Sequence, residues 1–450
     1  MNQKISNSYI IAVGFMLFSL FFGAGNLIFP AMMGQEAGTN VWLATAGFIA
    51  TGVGLPLLGV IALGISGKND LQSLASRVHP MFGIAFTVIL YLSIGPLFAI
   101  PRTGTVSYEI GIKPFLPESW GTIGLLVFTI IFFAITAYFS LNSSKIVDIV
   151  GKYLTPILLL FILILIGVAF MNPIGSFQAP AENYLSDSFF NGFKEGYLTM
   201  DALAAFVFGI IVIDAVRSKG AQTKKAIMIS VTKAGLIAAG LLAVIYSSLA
   251  FIGASSVSGL GSLDNGGAVL SGVSSHYFGS FGGVLLSLIV LAACLTTSIG
   301  LISSCATYFT KLMPNISYNR FVIIFSVFSA GIANFGLSQL ISISIPVLTA
   351  IYPLAIVLML LTFLHPLFNG KKEVYQISML LTFIVSLFDG LNAAGLKVSA
   401  VNDFFANILP LHSVGLGWVA PAIIGAILGI VIGLFKRGNA GEKEQEKQTI

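Results

Sequence analysis

Charge is scarce in this 450-residue chain: only 9% of its residues are Asp, Glu, Lys or Arg, against about a quarter in soluble domains. With 56% hydrophobic residues and a mean hydropathy of +0.97, that scarcity excludes a soluble globular domain. Cysteine is almost missing. Cys294 and Cys305 stand eleven residues apart in one apolar run, about 16 Å along a helix, and so cannot bond to each other. Histidine is equally sparse. His79, His276, His365 and His412 fall singly near the ends of apolar runs, which suits capping or interface residues, and no His, Cys, Asp and Glu group has metal-ligand spacing. No glycine-rich phosphate-binding loop occurs either.

What the chain does have is apolar length. Runs of about 20 residues, each enough to cross a hydrocarbon core of roughly 30 Å, recur along it. They predict an all-α polytopic membrane protein with twelve spans at 8–33, 41–65, 81–106, 120–141, 150–171, 191–215, 227–253, 281–311, 319–338, 341–366, 374–394 and 413–435. Met1 to Tyr9 reads as the start of the first span, since no convincing small-residue cleavage site follows. With the N-terminus inside, eighteen of the 22 basic residues fall on the inner side, and only Arg102, Lys113, Lys194 and Lys397 lie on or toward the outer. This bias predicts cytoplasmic termini. It also accounts for the pI near 9.0, which is therefore no nucleic-acid signal.

Two spans carry anomalies. The first contains Phe22-Gly23-Ala24-Gly25-Asn26-Leu27-Ile28-Phe29-Pro30, and each glycine costs a helix about 1 kcal/mol. Unwound backbone at that depth survives only against protein or a water-filled cavity. The sixth contains Thr199-Met200-Asp201-Ala202. An ionised residue in a span costs at least about 2.5 kcal/mol on insertion scales and normally faces a cavity or a partner. Asp201 therefore reads as part of an ion or substrate site or a gate, or else as the cap of a half-helix.

Breaks in spans one and six match two five-helix repeats of opposite topology whose first helices meet at the bilayer midplane. The predicted organisation is 1–171 for the first repeat, 172–366 for the second, 367–435 for two appended spans and 436–450 for a solvated cytoplasmic tail. A broken helix exposes N–H groups on one half and carbonyls on the other, with partial charges of about +0.5 and −0.5. Such ends suit a zwitterion. Its carboxylate would sit against Gly23, Ala24, Gly25 and Asn26 and the sixth-span break, with carbonyls there receiving its ammonium group.

Span eight adds Thr296-Thr297-Ser298. Hydroxyls and free carbonyls suit a hard cation such as sodium, although membrane hydroxyls also bond their own i−4 carbonyls or a neighbouring helix. A channel would want polar residues along one continuous path, and an enzyme would want convergent acid, base and nucleophile. Polar groups clustered at helix breaks favour a transporter instead.

The Gly23 to Pro30 motif, the Gly196-Tyr197-Leu198-Thr199-Met200-Asp201-Ala202-Leu203 stretch and the twelve-span length resemble the bacterial branched-chain amino acid:cation symporters of the BrnQ type, over essentially the whole chain. The resemblance implies a LeuT-like 5+5 inverted repeat of the amino acid-polyamine-organocation superfamily and sodium-driven uptake of leucine, isoleucine and valine. It implies that the carbonyls of Ser19 and Phe22, the hydroxyls of Thr297 and Ser298 and the Cys294 carbonyl surround sodium. Asn26 and Thr199 match a second sodium site of some relatives, but this chain has Asp201 close by and one residue fewer between Gly25 and Pro30. Sodium is favoured over protons because the fifth span has no lysine beyond Lys152 at its start. Apolar pocket walls are expected from Tyr91, Ile94, Pro96 and Leu97 of span three and Met200, Ala202, Ala205 and Phe206 of span six. Oligomeric state is silent, because lipid-facing and partner-facing surfaces share one composition.

Overall fold

A backbone in lipid must satisfy its hydrogen bonds within its own segment, so apolar runs of this length become helices. The computed structural model describes residues 5–68, 70–141, 147–221, 223–396 and 398–448. Lys4, Lys145 and Lys397, used above for orientation, lie outside them. The regular structure among the described residues is helical throughout. In order come α1 (Asn7–Phe21), α2 (Ala24–Ala37), α3 (Val41–Ile49), α4 (Leu55–Ser66), α5 (Leu71–Ala75), α6 (Pro80–Leu92), α7 (Ala99–Gly111), α8 (Gly121–Ser140), α9 (Thr155–Met171) and α10 (Asn183–Ser186). There follow α11 (Ser188–Leu198), α12 (Asp201–Ser218), α13 (Lys224–Leu260), α14 (Gly266–Phe278), α15 (Ser280–Leu312), α16 (Tyr318–Ala333), α17 (Leu337–Leu364), α18 (Lys372–Ala393), α19 (Ser399–Ile408) and α20 (Val419–Gln448).

Each predicted span has a helical counterpart. By length and apolarity, eight helical segments among the described residues can cross a membrane, or nine when the bent pair α11 and α12 is taken as one span; three shorter apolar helices lie at Asn7–Phe21, Tyr318–Ala333 and Val419–Phe435. Length and apolarity alone therefore do not return the figure of twelve. Helix α20 continues to Gln448, past the start of the predicted tail. Four helices, α5, α10, α14 and α19, lie outside the predicted spans; α14 starts where Asn265 caps it by accepting from the Ala268 N–H at 3.0 Å, a sequence that otherwise reads as loop.

Both expected breaks are present, and a third joins them. Helix α1 ends at Phe21 and α2 begins at Ala24. Between α11 and α12 the axis bends by 43°, with Met200 held at φ 67°. A left-handed methionine is strained by about 1 kcal/mol or more, which marks a site that the surroundings enforce. The third break lies in span three, where Gly95 leaves helical geometry just before Pro96 and separates α6 from α7.

The packing divides the chain into two units, Met1–Gly64 with Tyr91–Ser342 and Ile65–Leu90 with Ile343–Ile450. In the first, α13 lies against α1 and α2, α3 against α11, and α7 against α15. The α2–α13 crossing is set by glycine. A Cβ added at Gly34 would overlap the Ala250 carbonyl oxygen, and one at Gly253 would overlap that of Ala31. Small residues let membrane helices approach to dispersion contact where no hydrophobic force pulls them together. In the second unit α18 packs on α20, where the Ser378 hydroxyl donates to the Ala422 carbonyl at 2.8 Å. Here His365 acts as an interface residue, with its Nδ1 2.9 Å from the Tyr375 hydroxyl, to which Arg77 also donates.

Gly253→Ala is expected to lower the apparent unfolding temperature in detergent, because overpacking against backbone costs about 1–3 kcal/mol. Gly240→Ala, in the same helix but with open space around it, should leave that temperature unchanged or raise it. Equal shifts for the two variants would contradict the crossing described.

Candidate functional site

The breaks of spans one and six meet at one side chain. Asn26, on the first turn of α2, is buried; its Nδ2 donates to Asp201 Oδ2 at 2.5 Å and to the Tyr246 hydroxyl, while its Oδ1 accepts from the Gly23 N–H at 3.2 Å. Both donors and the acceptor of the amide are thereby used. Tyr246, from α13, donates to the same Asp201 oxygen at 3.1 Å. Asp201 also heads α12, and its N–H donates to Thr199 Oγ1 at 3.3 Å. The Thr199 hydroxyl in turn donates to the Gly196 carbonyl at 2.8 Å. A buried carboxylate is tolerable only when so bonded, and here an amide and a phenol both donate to it.

Arg102 completes the charge balance. The sequence reading placed it on or toward the outer loops; the structure buries it in α7, where it is 5% exposed and within electrostatic reach of Asp201. Its Nη1 donates to the Leu198 carbonyl at 3.1 Å, at the C-terminal end of α11. The guanidinium also stacks 5.6 Å from the centre of the Phe29 ring. A Cβ at Gly25 would lie 2.9 Å from both Arg102 Nη2 and Phe29 Cε2, which explains a glycine there.

These groups border a cavity of about 20 Å³, room for little more than one water. Three helix N-termini line it, those of α2 (Gly23, Ala24), α7 (Ala99) and α12 (Met200, Asp201), each with a partial positive charge. Of the expected wall residues, Ile94 and Met200 line the cavity. Ala202, Ala205 and Phe206 do not; Ala204 and Phe208 take their place. Ala202 is buried beside the break without facing the cavity. Tyr91 points elsewhere and stacks on Tyr308 at 4.4 Å. Farther along α2 and α7 lies a separate vestibule of about 740 Å³, lined by Ile28, Met32 and Ile110 and by the Glu109–Lys113 ion pair at 2.6 Å. Phe29 borders the vestibule and Arg102 the cavity, so their stack stands between the two.

On the other side of the first break, α1 meets α15. The Ser19 carbonyl accepts from Thr296 Oγ1 at 3.0 Å and from Thr297 Oγ1 at 3.3 Å, and the Ser19 hydroxyl donates to Thr296 Oγ1 at 3.1 Å. Gly23 is pressed against Thr297, whose Oγ1 would lie 2.8 Å from an added Cβ. The Ser298 hydroxyl is buried without a hydrogen-bond partner. A buried hydroxyl left without a partner costs about 1–3 kcal/mol, and Ser303 and Ser304 on the same helix share that state. Phe22 closes α1 by donating its N–H to the Phe18 carbonyl at 2.8 Å. Cys294, one turn earlier on α15, is buried with its thiol toward Ser107. Thr296, rather than Ser298, is the hydroxyl that reaches Ser19. At the second cation site that the resemblance implies, Asn26 Oδ1 already accepts from the Gly23 N–H and the Thr199 hydroxyl donates to the Gly196 carbonyl.

The sequence reading missed Arg102 and Tyr246. A signal for Arg102 was available in Gly95-Pro96, a glycine–proline pair inside an apolar run that marks a third break about two turns earlier. Tyr246 gave none, since a tyrosine within a span is ordinary.

Comparison with known proteins agrees with this geometry. In fold, the chain is similar to Mhp1, a nucleobase-cation-symport-1 family transporter solved in a closed conformation with bromovinylhydantoin bound, with a TM-score of 0.58 over 94% of this chain and 91% of that one at 13% identity. It is likewise similar to MhsT in complex with L-phenylalanine, with a TM-score of 0.55 over 97% and 99% of the two chains at 16% identity. The LeuT-like helical fold with broken first and sixth spans is thus the fold of this chain. In sequence it is 59% identical to the branched-chain amino acid permease BrnQ of Bacillus subtilis over 97% of this chain and 99% of that protein, and 52% identical to BraB of the same organism over 94% and 95%. It is 42% identical to the branched-chain amino acid transport system 2 carrier protein of Pseudomonas aeruginosa over 94% and 95%. The family model described as branched-chain amino acid transport protein matches residues 6–436, and the chain belongs to that family.

Proposed function

We propose that the protein is a sodium-coupled symporter that imports leucine, isoleucine and valine across a bacterial cell membrane by alternating access, with both termini cytoplasmic. The observation that carries the sodium assignment is the junction of α1 with α15, where the Ser19 carbonyl and the Thr297 hydroxyl meet beside the first break and the next residue, Ser298, has a buried hydroxyl without a partner. Neutral oxygen donors from backbone and hydroxyl suit a hard monovalent cation. A cation held there ties α1 to α15 and so stabilises one arrangement of the two elements. Spans one, two, six and seven would then rock as a bundle against three, four, eight and nine.

The substrate would lie at the cavity bordered by both breaks, its side chain against Phe208, Ala204 and Ile94. A cavity of about 20 Å³ cannot take an amino acid, so binding requires it to widen. Apolar walls separate substrates by only about 1–3 kcal/mol per methylene, which gives overlapping recognition of the three branched side chains. Proton coupling is the second reading, favoured by one observation, the buried Asp201 shared between the two broken helices.

Uptake of labelled leucine into proteoliposomes under a sodium gradient, with a proton gradient alone as comparison, decides between them. Accumulation driven by sodium and abolished by Thr297→Ala with Ser298→Ala is the expected outcome. Uptake driven by protons alone and untouched by the double substitution would overturn the sodium site.

Asn26→Ala removes two hydrogen bonds to the Asp201–Tyr246 pair, of which the one to the carboxylate contributes about 1.5–3 kcal/mol. Leucine uptake should fall at least about tenfold in kcat/KM. Near-normal uptake by a folded Asn26→Ala protein would contradict the idea that the two breaks act as one site.

A further inference from the structure

We propose that Arg102 and Asp201 form a charge pair that recognises the backbone of the transported amino acid, Arg102 taking its carboxylate and Asp201 its ammonium group. The inference rests on the substrate class proposed above and assigns a role to Arg102.

Both groups are buried, both border the same small cavity, and they come from different helices, α7 and α12. One is an acceptor of hydrogen bonds only, the other a donor only. A zwitterion carries that pair of charges with the opposite assignment, so it can replace the long-range attraction of Arg102 for Asp201 by two direct contacts. The guanidinium is also positioned to change partners. Its ties include the Leu198 carbonyl and the face of Phe29. A carboxylate offers two parallel hydrogen bonds in the geometry of the guanidinium fork, which is stronger than either. Gly25, having no Cβ, lets Arg102 Nη2 approach the backbone closely, and the N-termini of α2 and α7 border the same cavity.

An Arg102 that merely held the fold together would affect all ligands alike. A recognition pair predicts crossed effects instead. Equilibrium binding of labelled L-leucine to the purified protein in sodium, at about pH 6.5 where the α-ammonium is charged, is competed with L-leucinamide, which lacks the carboxylate, and with 4-methyl-2-oxopentanoate, which lacks the ammonium. The wild type should prefer leucine over each analogue by at least about 30-fold. In Arg102→Gln the preference over leucinamide should collapse to within about threefold while the preference over the oxo acid persists; Asp201→Asn should do the reverse. Should Arg102→Gln not be recovered folded, Arg102→Lys decides: a leucine-to-leucinamide preference reduced at least about fivefold supports the assignment, and an unchanged one overturns it. Parallel loss of all three ligands in Arg102→Gln also overturns it. Failure of the wild type to bind leucine would strike the substrate class itself, whereas normal binding with unaltered preferences strikes Arg102 alone.

Discussion

The hydrogen bonds from Asn26 and Tyr246 to Asp201 hold together what would otherwise be two defects in a membrane protein. Helix breaks at bilayer depth expose polar backbone for which lipid has no partner. The chain solves this by placing the breaks against each other. Asn26 caps the start of α2 through Gly23 and reaches the carboxylate at the start of α12, while Tyr246 supports both from α13. The close α2–α13 crossing follows from the same need, since Gly34 and Gly253 let α13 come near enough for Tyr246 to reach the junction. Packing and polar satisfaction are therefore one design here. Enlarging either glycine would move a hydrogen-bond donor as well as a helix.

How much of this was legible in the amino-acid sequence depended on contrast. Gly23, Gly25, Asn26 and Asp201 stood out because glycine, amide and carboxylate are costly inside an apolar run. Arg102 is as costly, yet it was read as a span end, because Thr103, Thr105, Ser107 and Glu109 follow it and the stretch looks like the approach to a loop. In the structure that stretch is α7, packed against α15 and buried along most of its length, so its polarity serves the interior. Hydropathy cannot separate a polar segment facing water from one facing a polar core.

Which of the wall candidates face the cavity was illegible for a different reason. A helix period fixes which residues share a face only while the helix is continuous. Met200, left-handed at φ 67°, resets the phase between α11 and α12. After it, positions 201, 204 and 208 turn to the cavity, where 202, 205 and 206 had been expected. That rotation is set by how Asp201 must point to meet Asn26 and Tyr246, a tertiary demand invisible to local pattern. The third break acts likewise: Gly95 and Pro96 rephase α7 relative to α6 and turn Arg102 inward.

Burying one cation and one anion beside the same cavity has an energetic consequence for transport. An alternating-access carrier must return without substrate, and an unpaired charge in its centre would make that step costly, since removing one partner of a buried pair costs about 3–5 kcal/mol. With Arg102 and Asp201 within electrostatic reach of each other, their formal charges sum to zero in the substrate-free site. A bound zwitterion keeps it neutral, because it adds one charge of each sign. A cationic or anionic side chain would not, and would enter a cavity walled by Phe208, Ala204 and Ile94 with nothing to offset it. Selectivity for uncharged side chains and easy return of the free carrier would follow from the same charge balance, and Thr297, which donates to the Ser19 carbonyl at the α1–α15 contact, lines that cavity too. On the proposed function, a cation at that contact and a substrate at the charge pair would share Thr297 and the short unwound stretch from Phe22 to Gly23, through which a change at one would reach the other.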